Sequence, residues 1–127
     1  FIVKKTIKNR LLAGNEVVMN ISTNSSKLKG WLAIYPIKVA DLALSSSLKN
    51  EYDQLMLLIT KEKWSFRILS FEIPSEYIEH GWDVSEEEMI NHKSSIVFGY
   101  DSLINKLNSS NFDSNLLIEP WKSDYPL

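Results

Sequence analysis

The chain has 127 residues, of which 44% are hydrophobic and 24% are charged, and this predicts a single globular domain over residues 1–127. It contains no cysteine, which excludes a disulfide scaffold and thiolate chemistry, and no apolar run approaches the roughly 18 residues of a membrane-spanning helix. We therefore expect a soluble, cytoplasmic protein, and leave open whether a signal peptide was removed before Phe1.

The net charge of −2 hides an uneven distribution of charge along the chain. Residues 1–29 carry six Lys or Arg side chains and one acidic residue, Glu16, whereas residues 68–92 carry seven carboxylates and neither Lys nor Arg. Such an asymmetry bears on partners and association rates, because clustered carboxylates attract positively charged surfaces.

Three strands are predicted in the first third of the chain. Residues 1–7 are rich in β-branched side chains, and residues 16–22 place apolar side chains at the period of two that is typical of a half-buried strand. Residues 31–39 form the third strand, in which Pro36 indicates an edge position or a bulge, because proline cannot donate to a sheet ladder.

The middle of the chain has two interpretations. Asp41 is expected to cap a short helix that ends near Asn50, and the apolar runs 55–60 and 64–73 are then the two strands of a hairpin. The alternative is one helix over residues 41–59, whose apolar side chains recur at helical spacing. We favour the hairpin. In both cases the run 64–73 is apolar on both sides, which predicts a middle strand with layers above and below it.

The last third predicts a helix, a strand and a further short helix. Ser85 and Glu88 have the spacing of a capping box, so a helix is predicted to begin there. Residues 95–100 predict a strand, Asp101 the cap of the next helix, and residues 116–118 a last short strand. The expected fold class is α+β, a single domain with a mostly antiparallel sheet and two or three helices.

Catalytic motifs are scarce. The four glycines form no phosphate-binding pattern, and no sequence resembles a nucleophile elbow. His80 and His92 are the only histidines; Glu88 and His92 are four residues apart and would share one face of a helix, with Asp83 nearby. A small hydrolase built on these residues is the rival hypothesis. We expect no enzyme, metal or cofactor, because two histidines without a metal-binding spacing are a weak signal.

The basic N-terminal residues offer a nucleic-acid interpretation. Lys4, Lys5, Lys8 and Arg10, together with Lys27 and Lys29, would form a basic edge. The acidic balance of the whole chain opposes it, because phosphate backbones reward concentrated positive charge. We expect neither a nucleic-acid nor a membrane partner, and interpret these side chains as the solvent side of edge strands.

The acidic segment, residues 76–88, is the strongest functional candidate. Its carboxylates repel one another without internal counter-charges, and its aromatic residues suit the buried centre of an interface. A helix N-terminus explains the last acidic residues, but not the first ones. We expect the segment to bind a basic protein partner through Glu76, Glu79, Trp82, Asp83, Glu86, Glu87 and Glu88.

A small, cysteine-free, mildly acidic α+β chain with this segment resembles the immunity proteins of bacterial toxin systems, including those of contact-dependent growth inhibition. The resemblance rests on residues 76–88 and on the tail with Trp121 and Tyr125. It implies a cognate toxin domain, often a basic nuclease, whose active site the acidic surface covers. An adaptor module of a phage or mobile element is a third hypothesis, and it predicts a partner that is not basic.

Overall fold

Nine helices and strands make up the part of the chain that this computed structural model describes, which is residues 4–43, 48 and 50–127. In chain order they are α1 (Lys5–Leu12), β1 (Val17–Ile21), β2 (Leu28–Lys38), α2 (Val39–Ala43), α3 (Glu51–Ile59), β3 (Trp64–Pro74), α4 (Ser75–Glu79), β4 (Ile90–Phe98) and α5 (Tyr100–Ser109). Single 3₁₀ turns lie at Glu86–Glu88, Ser114–Leu116 and Pro120–Lys122. None of the described helices is long and apolar enough to cross a membrane.

The four strands form one antiparallel sheet in the order β1-β2-β3-β4. β3 lies in its interior and pairs with β2 along its whole length, from Trp64 opposite Lys38 to Pro74 opposite Leu28. The expected α+β domain with an antiparallel sheet is therefore confirmed. The described residues contain five α-helices instead of two or three, because α1 and α3 form where strands are predicted and α4 follows β3 directly.

The sheet is covered on both faces, as the apolar pattern of residues 64–73 predicts. Phe66 and Ile68 of β3 point into a first core, which α1 and α5 cover. Leu69, Phe71 and Ile73 point into a second core, which is covered by the acidic segment and by the C-terminal residues. The acidic segment is thus fixed to one face of the sheet by its apolar members.

The N-terminal strand prediction is wrong where the structure describes it. Residues 5–12 form α1, because Ile7 and Leu11 lie one helical turn apart and both are buried in the first core. Gly14 (φ +88°) ends the helix. The Gly14 amide donates to the carbonyl of Leu11, and the Asn15 amide donates to the carbonyl of Arg10, which is a Schellman motif. Residues 1–3 lie outside the described residues.

The predictions for the next two strands, β1 and β2, agree with the structure more closely. The strand expected at residues 16–22 is confirmed as β1. β2 spans Leu28–Lys38, and β1 pairs with it only as far as Ile34. Pro36 therefore lies where no described strand adjoins β2 on that side, which confirms the expected local edge.

The favoured hairpin of residues 55–60 and 64–73 is wrong, because residues 51–59 form α3. The side chain of Asn50 accepts a hydrogen bond from the amide of Tyr52, and this N-cap starts the helix. The extended backbone of Asn50 (φ −85°, ψ 128°) also excludes a continuous helix over 41–59. α2 already begins at Val39, so Asp41 is not its cap, and residues 44–47 and 49 lie outside the described residues.

The C-terminal predictions are partly correct. The helix expected near Ser85 is reduced to one 3₁₀ turn, because the chain must extend again for β4. The helix expected after residue 100 is confirmed as α5, with Gly99 instead of Asp101 at its N-cap. Residues 116–118 form only one bridge, in which Ile118 exchanges two backbone hydrogen bonds with Val18.

Gly30 in β2 allows Ile21 of the neighbouring strand to pack across it. A Cβ atom at position 30 would lie 2.7 Å from Ile21 Cγ1 and 3.1 Å from the Ile21 carbonyl oxygen. We expect Gly30→Ala to lower the free energy of unfolding by about 1–3 kcal/mol, the usual cost of overpacking, in urea denaturation. In an Ile21→Ala background the same substitution should cost less, because the clashing atom is gone; equal costs would contradict this explanation.

Candidate acidic binding surface

The acidic segment begins where β3 ends, and backbone contacts fix its start. The amide of Ser75 donates to the carbonyl of Lys27 over 2.7 Å, and its hydroxyl donates to the carbonyl of Ser26. Tyr77, Ile78, Val84 and Met89 then pack against the second core. Because these apolar side chains turn towards the sheet, the carboxylates between them are left towards solvent.

A tight turn reverses the chain between α4 and the remainder of the segment. Gly81 (φ +63°) follows the C-cap residue His80. The Gly81 amide donates to the carbonyl of Ile78, and the Trp82 amide donates to the carbonyl of Tyr77 over 2.9 Å. This is again a Schellman motif, and the contact between Trp82 and Tyr77 is the apolar contact that usually accompanies it. The position of Trp82 is therefore set by the backbone.

Trp82 is held between two other rings yet remains accessible. Its ring meets Tyr77 edge-on, with ring centroids 5.2 Å apart, and stacks with His80 at 4.8 Å and an interplanar angle of 19°. About half of the side chain (51%) is exposed. An indole that is both fixed and exposed has already lost much of the conformational entropy that binding would cost.

The carboxylates around Trp82 face solvent. Glu76, Glu79, Asp83 and Glu87 are exposed, and none of them makes an ion pair with another described residue. Two ion pairs between described residues, Arg10–Glu16 and Lys122–Glu119, lie outside this segment. The structure thus places Trp82 and these four carboxylates in one short segment. For Glu86 it gives the backbone position in the 3₁₀ turn only.

Glu88 differs from the other acidic residues because it is used locally. Its carboxylate accepts hydrogen bonds from the hydroxyl and, over 2.7 Å, from the amide of Ser85; the bond from the amide is one half of the predicted capping box, while the Glu88 amide donates to the Ser85 carbonyl instead of to the hydroxyl. These bonds favour the charged form and lower the pKa of Glu88, the Ser85 hydroxyl first. Glu88 thus has less capacity left for a partner.

We expect Ser85→Ala to raise the pKa of Glu88 towards its usual value. A carboxylate with a lowered folded-state pKa stabilises the protein above its unfolded pKa, and the contribution is lost as the pH falls through the folded value. NMR titration of the Glu88 carboxyl should show the upward shift in the variant. Ser109→Ala, which removes a hydroxyl bonded to a backbone carbonyl instead, is the control and should leave Glu88 unchanged.

The rival hydrolase site lacks the geometry on which it depends. Glu88 lies in a 3₁₀ turn and His92 in β4, which begins at Ile90, so the helix face that was to unite them does not exist. His80 stacks on Trp82 next to Asp83. Within residues 4–43, 48 and 50–127, no three His, Asp or Glu side chains gather as a metal site would require.

Most of the basic N-terminal side chains lie on or next to a helix, which corrects the interpretation of edge strands for Lys4, Lys5, Lys8 and Arg10, whereas Lys29 lies in β2. The Lys8 ammonium lies 4.8 Å from the ring centroid of Tyr100; the Arg10 guanidinium lies 4.9 Å from the ring centroid of Trp121 and donates to the carbonyl of Glu16. Lys5 is exposed in the first turn of α1, and Lys4 is exposed at its N-cap. Two of the four cations thus pack on aromatic rings of the fold itself.

The C-terminal tail packs against the second core. The indole of Trp31 donates to the carbonyl of Ser123, and the hydroxyls of Tyr35 and Tyr125 share a hydrogen bond. Burial raises the pKa of both tyrosines, so the pair stays neutral and bonded at any ordinary pH. Tyr125 therefore serves the core, while Trp121 is exposed beneath Arg10.

The sequence interpretation missed an open groove of about 960 Å³ on the first-core face of the sheet. It lies between the sheet and the C-terminal end of α5, where polar side chains replace the apolar ones. The charged residues that line it are Glu72, Lys93, Lys106 and Asp113. The Glu72 carboxylate accepts a hydrogen bond from the side-chain amide of Asn91. The available signal was the change along β3 from Phe66 and Ile68 to Ser70 and Glu72 at the same period of two. The groove thus carries two acidic and two basic side chains and has no net charge.

No family model, no curated protein and no solved structure matches this chain.

Proposed function

We propose that this chain is a protein-binding inhibitor, an immunity protein that neutralises a basic bacterial toxin of the nuclease type by covering its active site. The observation that supports the proposal best is the arrangement around Trp82. A fixed, half-exposed indole lies among exposed carboxylates that have no described counter-charge.

The chemistry of such a surface suits a nucleic-acid-binding partner. A nuclease presents Lys and Arg side chains that bind phosphate groups, and carboxylates occupy the same side chains through charge-assisted hydrogen bonds. The acidic field also steers the encounter and raises the association rate. Trp82 would supply the desolvated anchor, because tryptophan is enriched among the residues that dominate interface energies. In this proposal Glu79, Trp82, Asp83, Glu86 and Glu87 contact the partner.

The first test is to isolate the partner. Tagged protein is used as bait in an extract of the native host at about 50 mM and at about 500 mM salt, where an electrostatic complex weakens strongly. We expect one stoichiometric protein with an excess of Lys and Arg, retained at low salt and released at high salt. Activity of that protein on DNA and RNA, with and without one equivalent of this chain, then tests neutralisation.

Two results would overturn the proposal. A bound protein that is neutral or acidic and insensitive to salt supports the adaptor hypothesis. A basic nuclease whose activity is unchanged by excess of this chain shows binding without inhibition.

A further inference from the structure

α3 differs from every other long helix of the fold because none of its residues is buried. Its nine residues span about 13 Å, and an isolated helix of this length is marginal in water. Helices this short are usually stabilised by packing an apolar face against the same domain. Both α1 and α5 bury two residues each in this way.

The apolar face of α3 is large and accessible. Tyr52, Leu55 and Ile59 follow one another at helical spacing, and Leu58 lies beside them. Their exposed fractions range from 54% for Leu55 to 82% for Leu58. Contiguous exposed apolar side chains of this kind mark interaction surfaces in soluble proteins.

The charges at the two ends of α3 indicate which partner fits. Glu51 and Asp53 lie in its first turn, and Lys61 and Lys63 follow its last residue, with Glu62 between them. The N-terminal end is therefore acidic, and the C-terminal end carries a net positive charge. If two copies of α3 pack antiparallel, the acidic end of each meets the basic end of the other, and the apolar faces meet at the middle.

We infer that the chain forms a two-fold symmetric homodimer through antiparallel packing of α3 against α3. A two-fold contact uses the same surface on both protomers and so must be self-complementary, which the charge order of α3 satisfies. One nine-residue helix buries less than a standard interface, so the dimer dissociates in the micromolar range or above.

The dimer does not depend on the proposed function. α3 leads into the first residue of β3, and the acidic segment follows its last. Ten residue steps of a strand separate these points by about 33 Å. The α3 contact and the proposed partner surface thus use different residues, 51–59 and 76–88.

Sedimentation velocity tests the dimer directly. We expect the wild-type mass to rise from one chain towards two between about 1 µM and about 1 mM, the range in which a sub-standard interface dissociates. Leu55→Glu should remain one chain throughout. Leu116→Glu is the matched control, because Leu116 is as exposed (56%) as Leu55 (54%) and lies far from α3 in sequence, and it should behave as wild type.

Charge exchange tests the antiparallel geometry. The variant Glu51→Lys/Asp53→Lys makes both ends of α3 positive, and Lys61→Glu/Lys63→Glu makes both ends negative. Each variant alone should be at least ten-fold weaker as a dimer, whereas an equal mixture should form a heterodimer. Circular dichroism verifies that both variants fold.

The absence of native cysteine allows an independent measurement. Single Leu55→Cys protein should form an intermolecular disulfide on mild oxidation, since the middle of the helix lies near the symmetry axis, and Leu116→Cys should not. A wild-type protein that stays one chain at 1 mM, with equal cross-linking of the two cysteine variants, overturns the dimer. Binding of such a monomer to phosphatidylcholine vesicles would assign the face to a lipid surface instead.

Discussion

Replacement of Phe71 by Ala is expected to lower the free energy of unfolding by about 3–5 kcal/mol, the cost of removing a buried aromatic ring and leaving a cavity. Phe71 is fully buried in the second core. Its ring stacks with the ring of Trp31, with centroids 5.9 Å apart, and its centroid lies 6.0 Å from that of the Tyr125 ring. A domain of this size has only about 5–15 kcal/mol of stability, so the loss is a large fraction of the total. Urea denaturation of the variant and the wild type measures it.

Phe66→Ala is the matched control for this prediction. Phe66 is an equally buried phenylalanine of the same strand, but it points into the first core. Both variants should lose a similar amount of global stability, while hydrogen exchange separates them. Phe71→Ala should speed local exchange in the acidic segment and in residues 123–125, whereas Phe66→Ala should speed exchange in α1 and α5.

The same exchange pattern in both variants would contradict the assignment of two separate cores. If Phe71→Ala is too unstable to study, Phe71→Leu keeps the test available, because a smaller change in volume costs less. Its local effect should still fall on the acidic segment.

The strands that the sequence predicts correctly are short apolar runs that the sheet buries on both faces. β1 and β3 place side chains in both cores, and such runs are typical of strands with a layer on each side. The prediction of a strand over residues 55–60 is wrong because the apolar residues 55–59 of α3 are consecutive, as in a buried strand. This run arises because the helix is apolar around much of its circumference: Met56 and Leu57 are half-buried, while Leu55, Leu58 and Ile59 are exposed.

Long-range contacts set the features that the sequence alone does not reveal. Thr6 and Ile7 have β-branched side chains, yet tertiary packing of Ile7 and Leu11 against β1 and β2 makes this segment helical. The acidic segment is predictable as charged, but the fixed position of Trp82 depends on Gly81 and on the return of the chain to Tyr77. Sequence patterns show which side chains are available, and the turn decides how they are presented.

Reversal of two charges in the acidic segment should slow association with the proposed basic partner more than any other surface change. In Glu79→Lys/Asp83→Lys, both substituted side chains are exposed, so the fold should be retained. The net charge changes from −2 to +2, because two residues each change by two units. We expect the association rate at low salt to fall by about ten-fold or more and its salt dependence to flatten, since electrostatic steering is lost. Stopped-flow or surface plasmon resonance over a salt series measures both.

Glu62→Lys/Asp101→Lys is the control with the same change in net charge. Both residues are exposed and lie at the other end of the sheet, where Ser65 pairs with Phe98. The length of β3 separates this end of the sheet from the start of the acidic segment by about 33 Å. That is about four Debye lengths at physiological salt, so the control should change the association rate by less than about two-fold there.

Trp82→Ala separates the anchor from the charges. It leaves every carboxylate in place, so the association rate and the salt slope should be nearly unchanged. The dissociation rate should rise by about thirty-fold, which corresponds to the roughly 2 kcal/mol that defines a hot-spot residue. If both charge-reversed proteins slow association equally, net charge alone governs the encounter. If neither the charge-reversed proteins nor Trp82→Ala alter the kinetics, the partner binds elsewhere.

Two results together assign the interface to residues 76–88: slower association of Glu79→Lys/Asp83→Lys and faster dissociation of Trp82→Ala.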